Sequence, residues 1–332
     1  MKKFTGWLIG FSALVLVGCN DDTEDNSGQD GTQLLEQQQQ EIETYLADNG
    51  INAIQEGNIY YQVLTENPSG DSLTSGDIIR IYYQIAVLDG AVIDERLADS
   101  GEPPVTYRFT LSTNLLENNL VLPVLDFSIA TMQTGEEYEF YLPSAFAYVT
   151  YSLENVVPEN AIIRARVQLV EIVTEDQLGT EEDQEIKNNL ANNGLTEADS
   201  LTNGVYYIRT EEGEADGIAV ENGRIVQVRY TGTLLDGTEF DSNTGSDDDL
   251  LRFTAGNSGL ITGFDIGVSQ MKQGEKGTVV IPSLAAYDQS QLAFPTEILL
   301  DLFQRRVINS PIGVEIPPFT PLRFDIEVVT VN

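Results

Sequence analysis

Apolar and polar residues alternate with a period of two along several stretches of the chain. Val226, Val228 and Tyr230 alternate with polar neighbours, and the same period recurs over residues 324–328 and 165–169. Because successive side chains of a strand point to opposite faces, this period predicts antiparallel strands with one buried and one exposed face.

Two kinds of helix are predicted beside these strands. Glu- and Gln-rich stretches at residues 34–48 and 180–192 lead into an Asn-Gly pair, which is typical of an amphipathic helix and its C-terminal cap. Residues 120–132 and 260–271 carry apolar side chains at spacings of three and four, which predicts a short second helix in each half of the chain. Several strands with one short helix packed on their concave face indicate α+β domains.

The chain contains a duplication. Its motifs occur twice in the same order, at an offset of roughly 140 residues, which is the length of a domain and too long for a solenoid repeat. We therefore predict two domains, at residues 34–173 and 174–332. The matching segments are Glu41-Ile42 with Glu185-Ile186, Tyr60-Tyr61 with Tyr206-Tyr207, Leu88-Asp89-Gly90 with Leu235-Asp236-Gly237, Phe109-Thr110 with Phe253-Thr254, and Pro143-Ser144 with Pro282-Ser283.

Residues 1–19 have the pattern of a signal peptide. Lys2 and Lys3 precede an apolar stretch at 4–17, and Leu16-Val17-Gly18-Cys19 closes it. This closing string resembles the bacterial lipobox, which implies that Cys19 is acylated, becomes the mature N-terminus and holds the protein at a membrane through its lipid chains. A short anchor that is not cleaved is the alternative.

Residues 20–33 are acidic and almost free of apolar side chains, which predicts a disordered tether. The acidic run resembles the sorting signals that send some Bacteroidetes lipoproteins to the cell surface, and a solvated spacer is the alternative. We expect a lipid-anchored protein of the bacterial cell envelope, at the outer membrane, facing either the periplasm or the cell exterior.

Charge and composition exclude several classes of chemistry. The chain has 53 Asp and Glu against 17 Lys and Arg, a formal net charge of −36, which repels phosphate backbones and argues against nucleic acid as a partner. It has no His and one Cys, which excludes imidazole ligands, Ser–His and Cys–His nucleophile pairs, and intramolecular disulfides. We expect no cofactor. The acidity is interpreted as a soluble surface, with a specific basic partner as the alternative.

One acidic string resembles a calcium-binding loop. Asp241, Asn243, Asp247 and Asp249 carry oxygen-bearing side chains at alternate positions, with Gly245 between them, but Ser246 replaces the glycine at the sixth position. Arg252 stands where the bidentate glutamate belongs. We therefore predict no metal site.

Five segments of the second half resemble FKBP-type peptidyl-prolyl isomerases in sequence, order and spacing. Their shared features are a V-x-Y-T-G string, a D-G-x-x-F-D-S string, an I-x-G-F helix start, an I-P…A-Y string and an I-P-P…L-x-F-x-I-E ending, and the resemblance covers residues 218–331. It implies an antiparallel half-barrel sheet wrapped around a short helix, with a proline-binding pocket between them. The segments are 228–232, 235–242, 260–275, 281–287 and 316–327.

The resemblance also implies the residues of this pocket. The family pattern has Trp where this chain has Phe264, and Gly where it has Asp288. The implied catalytic residues are Tyr230, Phe240, Asp241, Phe264, Tyr287 and Phe324, and the implied substrate-binding residues are Leu260, Ile261 and Ile316.

The implied roles are those of an apolar cage. Phe264 forms its floor, with Phe240 and Phe324 as walls. Tyr287 offers its hydroxyl to a substrate carbonyl. Asp241 places a carboxylate near the imide carbonyl. The same residues are also compatible with a packed β core or with a pocket that binds peptides without catalysis.

The first half keeps the polar positions of this pocket and loses the aromatic ones. We therefore predict that the first domain keeps the fold, has lost efficient isomerase chemistry, and serves substrate or partner binding or spacing from the membrane. The retained residues are Tyr83, Asp94 and Tyr148, and the replacements are Ile93, Leu125 and Ala165.

An insertion at residues 288–315 distinguishes the second half. Its residues 296–306 predict a helix with Thr296 as N-cap and two arginines at the end. The position resembles an enlarged loop of FKBP-like chaperones and implies a client-binding flap over the pocket, with a helix packed on the barrel rim as the alternative.

Together these features predict a peptidyl-prolyl cis–trans isomerase acting on proline-containing envelope or secreted polypeptides. The alternative is a non-catalytic, peptide- or partner-binding lipoprotein of an envelope assembly.

Overall fold

The computed structural model describes residues 27–110, 125, 129–195, 198–245, 249–257, 259–290, 292–308 and 316–332. The predicted signal peptide, Cys19, the first part of the tether and more than half of the helix predicted at 120–132 lie outside these residues. Among the described residues, none of the helices combines the length and the hydropathy that crossing a bilayer requires.

The first domain is an antiparallel sheet preceded by one long helix. The sheet has the order β1-β2-β6-β7-β3-β4, and β5 also pairs with β3. Its elements are α1 (Ser27–Asp48), β1 (Ile54–Glu56), β2 (Ile59–Thr65), β3 (Ile78–Val87), β4 (Val92–Arg96), β5 (Val105–Arg108), β6 (Glu137–Leu142) and β7 (Ile163–Val173).

The second domain repeats this arrangement. Its sheet has the order β11-β10-β14-β13-β9-β8, and β12 also pairs with β10. Its elements are α2 (Glu175–Asn192), β8 (Asp199–Ser200), β9 (Tyr206–Glu211), β10 (Ile225–Leu234), β11 (Glu239–Ser242), β12 (Leu251–Thr254), α3 (Thr262–Val268), β13 (Lys276–Ile281), α4 (Glu297–Gln304) and β14 (Leu322–Val331). The predicted α+β class with two tandem domains is confirmed.

The period-two stretches are strands whose apolar residues face the core. In β14, Phe324, Ile326 and Val328 are buried, whereas Asp325 is exposed. The strand lies between β10 and β13, so its apolar face completes the centre of the sheet. This is the burial that the alternation predicts.

Two glycines let α3 lie directly on the sheet. A Cβ at Gly263 would come within 2.2 Å of Ile281 Cγ2, and one at Gly267 within 2.4 Å of Val279 Cγ1. The helix is shorter than the predicted 260–271, because Ile261 is extended at its N-cap and the last residues form the turn before β13. Phe264, between the two glycines, is thereby held in the core.

The N-terminal helices are longer than predicted. A capping box between Thr174 and Gln177 starts α2 ahead of residue 180. Helix α1 begins at Ser27, so residues 27–33, which were predicted as tether, are helical. The sequence contains no proline there, and extending an existing helix costs far less than nucleating one.

Each N-terminal helix inserts one buried polar side chain under its sheet. Gln38 Oε1 accepts hydrogen bonds from the backbone N–H (2.9 Å) and hydroxyl (3.1 Å) of Ser144. In the second domain, Glu182 accepts from the N–H (2.8 Å) and hydroxyl (2.5 Å) of Ser283. Burial raises the pKa of Glu182 to about 7 despite these hydrogen bonds, and nearby Glu185 and Asp288 add to the rise.

We expect Glu182→Gln to stabilise the second domain at pH 8 by about 1–3 kcal/mol, and Gln38 shows that an amide suits this position. The folded carboxyl releases its proton near pH 7 and the unfolded one near 4.5. Between these values the folded state binds more protons, so its stability falls as pH rises. Urea unfolding across pH 4–8 measures the effect, with exposed Glu221→Gln as control. An unchanged pH slope in Glu182→Gln would contradict it.

Candidate functional site

Four aromatic rings form a cage between α3 and the sheet of the second domain. The ring centroids of Phe264 and Phe324 are 5.2 Å apart at 83°, and those of Phe240 and Phe324 are 5.6 Å apart at 85°. Tyr230 meets Phe264 at 6.0 Å and 78°. These edge-to-face contacts are favourable ring geometries and hold the rings in fixed directions.

The elements that supply the rings come from distant parts of the chain. Tyr230 lies on β10, Phe240 on β11, Phe324 on β14 and Phe264 on α3. Gly232 makes the junction possible, because a Cβ there would stand 2.7 Å from Phe240 Cζ and 2.9 Å from Phe324 Cε1. The cage therefore depends on a residue without a side chain at its centre.

A tyrosine–carboxylate pair stands at the edge of the cage. The Tyr230 hydroxyl donates a 2.5 Å hydrogen bond to Asp241 Oδ2, and Asp241 is exposed. Burial and the hydrogen bond to Asp241 raise the pKa of Tyr230. Burial and the charge of Asp241 raise the pKa of Tyr287. Both hydroxyls therefore remain protonated donors at neutral pH.

The structure brings all the predicted pocket residues together. Phe264, Ile316 and Phe324 are buried members of one apolar cluster. The other predicted pocket residues are partly buried and pack against this cluster, except Asp241, which is linked to it by its hydrogen bond with Tyr230. Those partly buried members are Tyr230, Phe240, Leu260, Ile261 and Tyr287. The lipidation residue Cys19 lies outside the described residues.

The sequence did not indicate two further residues of the site. Phe253 is buried on β12, and its ring lies 6.0 Å from that of Phe264; its only signal was the repeated Phe-Thr pair. Asn243 accepts from the Tyr230 N–H (2.7 Å) and donates to the Val228 carbonyl (3.0 Å). The Asn243 side chain therefore hydrogen-bonds to backbone groups of β10. No metal-ligating cluster occurs among the residues that the structure describes.

The departure at Asp288 is accommodated by its backbone. Asp288 has φ 50°, a left-handed conformation that glycine adopts most easily and that Asp tolerates better than most residues. Its carbonyl accepts a 2.9 Å hydrogen bond from Phe319 N–H, and the Ser290 hydroxyl donates to the Ile316 carbonyl at 2.6 Å. The two ends of the insertion are thus fastened beside the pocket.

Strand register identifies the corresponding positions of the first domain. Ala165 pairs with Ile85, as Phe324 pairs with Gly232. The first domain therefore has the large Ile85 where the second has Gly232, and the small Ala165 where the second has Phe324. Tyr83 still donates to Asp94 Oδ2, at 2.8 Å, and burial raises the pKa of both groups.

The described insertion packs on the first domain, where its apolar residues share one buried cluster with Tyr83 and Tyr107. Neither the implied flap over the second pocket nor the alternative of a helix on that domain's rim is therefore found among the described residues. The helix predicted at 296–306 is present as α4, but Thr296 makes no side-chain capping hydrogen bond.

The sequence profile described as FKBP-type peptidyl-prolyl cis-trans isomerase matches residues 70–170 and 217–329. Among curated relatives, FK506-binding protein 3 of Dictyostelium discoideum is 30% identical over 133 residues, 39% of this chain and 57% of that protein. The FKBP-type peptidyl-prolyl cis-trans isomerase FkpA of Aeromonas hydrophila is 30% identical over 138 residues, 40% of this chain and 46% of that protein. The chain thus spans about half the length of these relatives.

Two solved structures also share sequence with part of this chain. The crystal structure of FkpA from Escherichia coli is 27% identical, with 46% of this chain and 57% of that chain covered and a TM-score of 0.33. A peptidyl-prolyl cis-trans isomerase of Pseudomonas syringae is 25% identical, with 48% and 97% covered and a TM-score of 0.34.

Proposed function

Because this chain belongs to the FKBP-type peptidyl-prolyl cis-trans isomerase family, we propose that it is a peptidyl-prolyl isomerase whose catalysis takes place in the second domain. The observation that carries the proposal is the cage of Tyr230, Phe240, Phe264 and Phe324 with Asp241 at its edge. The first domain keeps Tyr83 but has Ile93, Leu125 and Ala165 in place of the three phenylalanines, and residues 292–308 of the second domain pack in its cluster.

The chemistry suits a site without nucleophile or metal. Rotation about an X–Pro bond breaks amide resonance and meets a barrier of about 20 kcal/mol. An apolar cage that seats the proline ring removes water from the imide and favours the twisted bond over either planar form. The rigid edge-to-face rings supply such a surface before substrate arrives.

Two protonated hydroxyls and one carboxylate give the cage polarity. Tyr287 packs against the cluster around Phe264 and keeps its proton at neutral pH, which suits its O–H to donate to a substrate carbonyl. Tyr230 fixes the direction of the Asp241 carboxylate through their hydrogen bond. In the twisted imide the nitrogen gains electron density and the carbonyl carbon becomes more electrophilic. An oriented carboxylate beside the carbonyl carbon therefore stabilises the transition state.

We further propose the setting of this activity. The pattern of residues 1–19 supports a lipoprotein anchored through Cys19 in the bacterial cell envelope, at the outer membrane. Its clients would be proline-containing envelope or secreted polypeptides. A net charge of −36 disfavours nucleic acid.

Asp241→Asn tests the catalytic role of the carboxylate. The change keeps the shape of the cage and removes the charge, so we expect a catalytic rate constant roughly tenfold lower and a nearly unchanged affinity for a proline peptide. A peptide isomerisation assay and calorimetric titration measure the two quantities, and a thermal melt verifies folding. A stable Asp241→Asn protein with unaltered rate and affinity would exclude this role.

The same experiment separates the alternative of a pocket that only binds peptides. The first domain favours this alternative for its own pocket, because it holds a peptide segment with its tyrosines and without the aromatic cage. If the second pocket also only binds, the wild-type protein accelerates no isomerisation, and Asp241→Asn has no rate to lose.

A further inference from the structure

The insertion between β13 and β14 of the second domain is built into the core of the first domain. Its apolar residues are buried in one cluster with Tyr83, Tyr148 and the inward side chains of β3 and β7. The inserted members are Leu292, Ala293, Phe294, Ile298, Leu299, Leu302 and Ile308.

Phe294 takes the central position in this contact. It is 2% exposed, and its ring lies 4.7 Å from that of Tyr83 at 72° and 6.3 Å from that of Tyr107 at 71°. The Tyr148 hydroxyl donates to the Phe294 carbonyl. Tyr148 occupies the position of Tyr287, so a hydroxyl that corresponds to the predicted substrate donor already holds a peptide carbonyl.

Polar contacts fix the register of the segment. The Tyr151 hydroxyl donates to Asp301 Oδ2 at 2.7 Å. Arg305 donates to the Ser152 carbonyl at 3.2 Å, pairs with Asp301 at 2.8 Å and lies over the Tyr151 ring at 5.3 Å. Such directional contacts beside a buried ring are features of specific recognition and not of nonspecific apolar packing.

A further hydrogen bond secures the start of the segment. Buried Gln289 accepts from the backbone N–H of Arg108 at 3.1 Å, and the Arg108 guanidinium lies over the ring of Phe319 at 5.6 Å. The contact between the domains thus extends from Gln289 to Ile308.

We propose that the pocket of the first domain is a receptor for residues 289–308 of this chain, an internal ligand that joins the two domains and closes that pocket to other polypeptides. Ala165, which stands where the second domain has Phe324, is buried in the same cluster as Phe294. Covalent linkage gives the ligand an effective concentration on the order of millimolar, so an outside peptide binds only when the segment leaves. This inference concerns the first domain and does not rest on catalysis by the second.

Hydrogen exchange measured by mass spectrometry on the full chain tests this proposal. We expect Phe294→Ala/Leu299→Ala to raise exchange at least tenfold both in residues 292–302 and in residues 144–157 of the first domain, because each side loses its partner. The matched control is Phe303→Ala on the same helix, whose ring is 41% exposed, and it should leave both segments protected. Tyr148→Phe removes only the hydrogen bond and should give a smaller rise in both.

A synthetic peptide of residues 289–308 tests the closure. Added to the double variant, it should restore protection of residues 144–157; added to the wild-type chain, it should change nothing there. The proposal is overturned if the double variant keeps wild-type exchange in residues 144–157. It is also overturned if the peptide fails to protect these residues in a double variant that retains its melting temperature, or if the peptide slows their exchange in the wild type as much as in the double variant. Isomerase activity enters none of these readouts, so a failure here is distinct from a failure of the proposed function.

Discussion

We expect replacement of Cys19 with Ser to move the protein from the membrane fraction to the soluble envelope fraction and to abolish its labelling by a fatty-acid analogue. We expect a large effect, because lipid chains on Cys19 are the proposed attachment. Fractionation of cells that express either form measures it. Leu16→Ile, which keeps an aliphatic residue in the lipobox, is the control.

Two outcomes would contradict the anchor. An unlabelled Cys19→Ser protein that stays in the membrane fraction would mean that the signal segment is retained or that another protein holds the chain there. A wild-type protein that takes up no label would exclude acylation altogether.

Phe240→Ala removes one wall of the second domain's cage. We expect it to raise the activation free energy by about 2 kcal/mol, which lowers kcat/KM roughly 30-fold. The ring is half-buried and meets Phe324 edge to face, so its loss weakens both the seat for proline and the placement of its neighbour. Peptide isomerisation kinetics measure the loss. The exposed Phe303 provides a matched Phe→Ala control.

A thermal melt must accompany this experiment. Because Phe240 lies at the edge of the core, the variant should remain folded at the assay temperature. Full activity in a folded Phe240→Ala protein would show that the cage is not the catalytic site.

The sheets and the aromatic cage could be predicted because their signals are local. Tyr230 and Phe324 lie in period-two stretches, and Phe264 lies between glycines at helical spacing, so each position carries its own indication of strand or helix. The order of the family strings then placed these distant segments in one pocket.

The replacement of Phe324 by Ala165 could be predicted from the repeat, but the residues that pair with them across the sheet, Gly232 and Ile85, could not be predicted in the same way. Ile85 opposite Ala165, and Gly232 opposite Phe324, are cross-strand pairs, and register between strands that are far apart in sequence is not visible in either strand alone. Once the register is known, the two pairs explain why one pocket carries a ring from its own sheet and the other receives one from the insertion.

The docking of the insertion was missed for a related reason. An apolar stripe on α4 indicates that the helix is covered and does not indicate by what. Ile298, Leu299 and Leu302 could cover their own domain's rim, a client or another domain equally well. Only the three-dimensional structure places Phe294 beside Tyr83 of the first domain.

The docked insertion also determines whether a test of catalysis should use the full chain or the second domain alone. Residues 292–308 belong to the second domain in sequence and pack into the first in space, so cutting the chain at residue 174 would expose an apolar helix face. The full chain avoids this exposure, and its duplicated Tyr–Asp pairs provide matched variants within one protein.

The most direct test is the rate at which the full chain accelerates a proline-limited refolding reaction, compared between Tyr230→Phe/Asp241→Asn and Tyr83→Phe/Asp94→Asn. Both double variants remove a tyrosine–carboxylate hydrogen bond and keep the ring. Catalysis in the second domain predicts that the first variant loses most of the acceleration and that the second retains it. Equal losses, a loss confined to the Tyr83 and Asp94 variant, or a wild-type chain without acceleration would contradict the account.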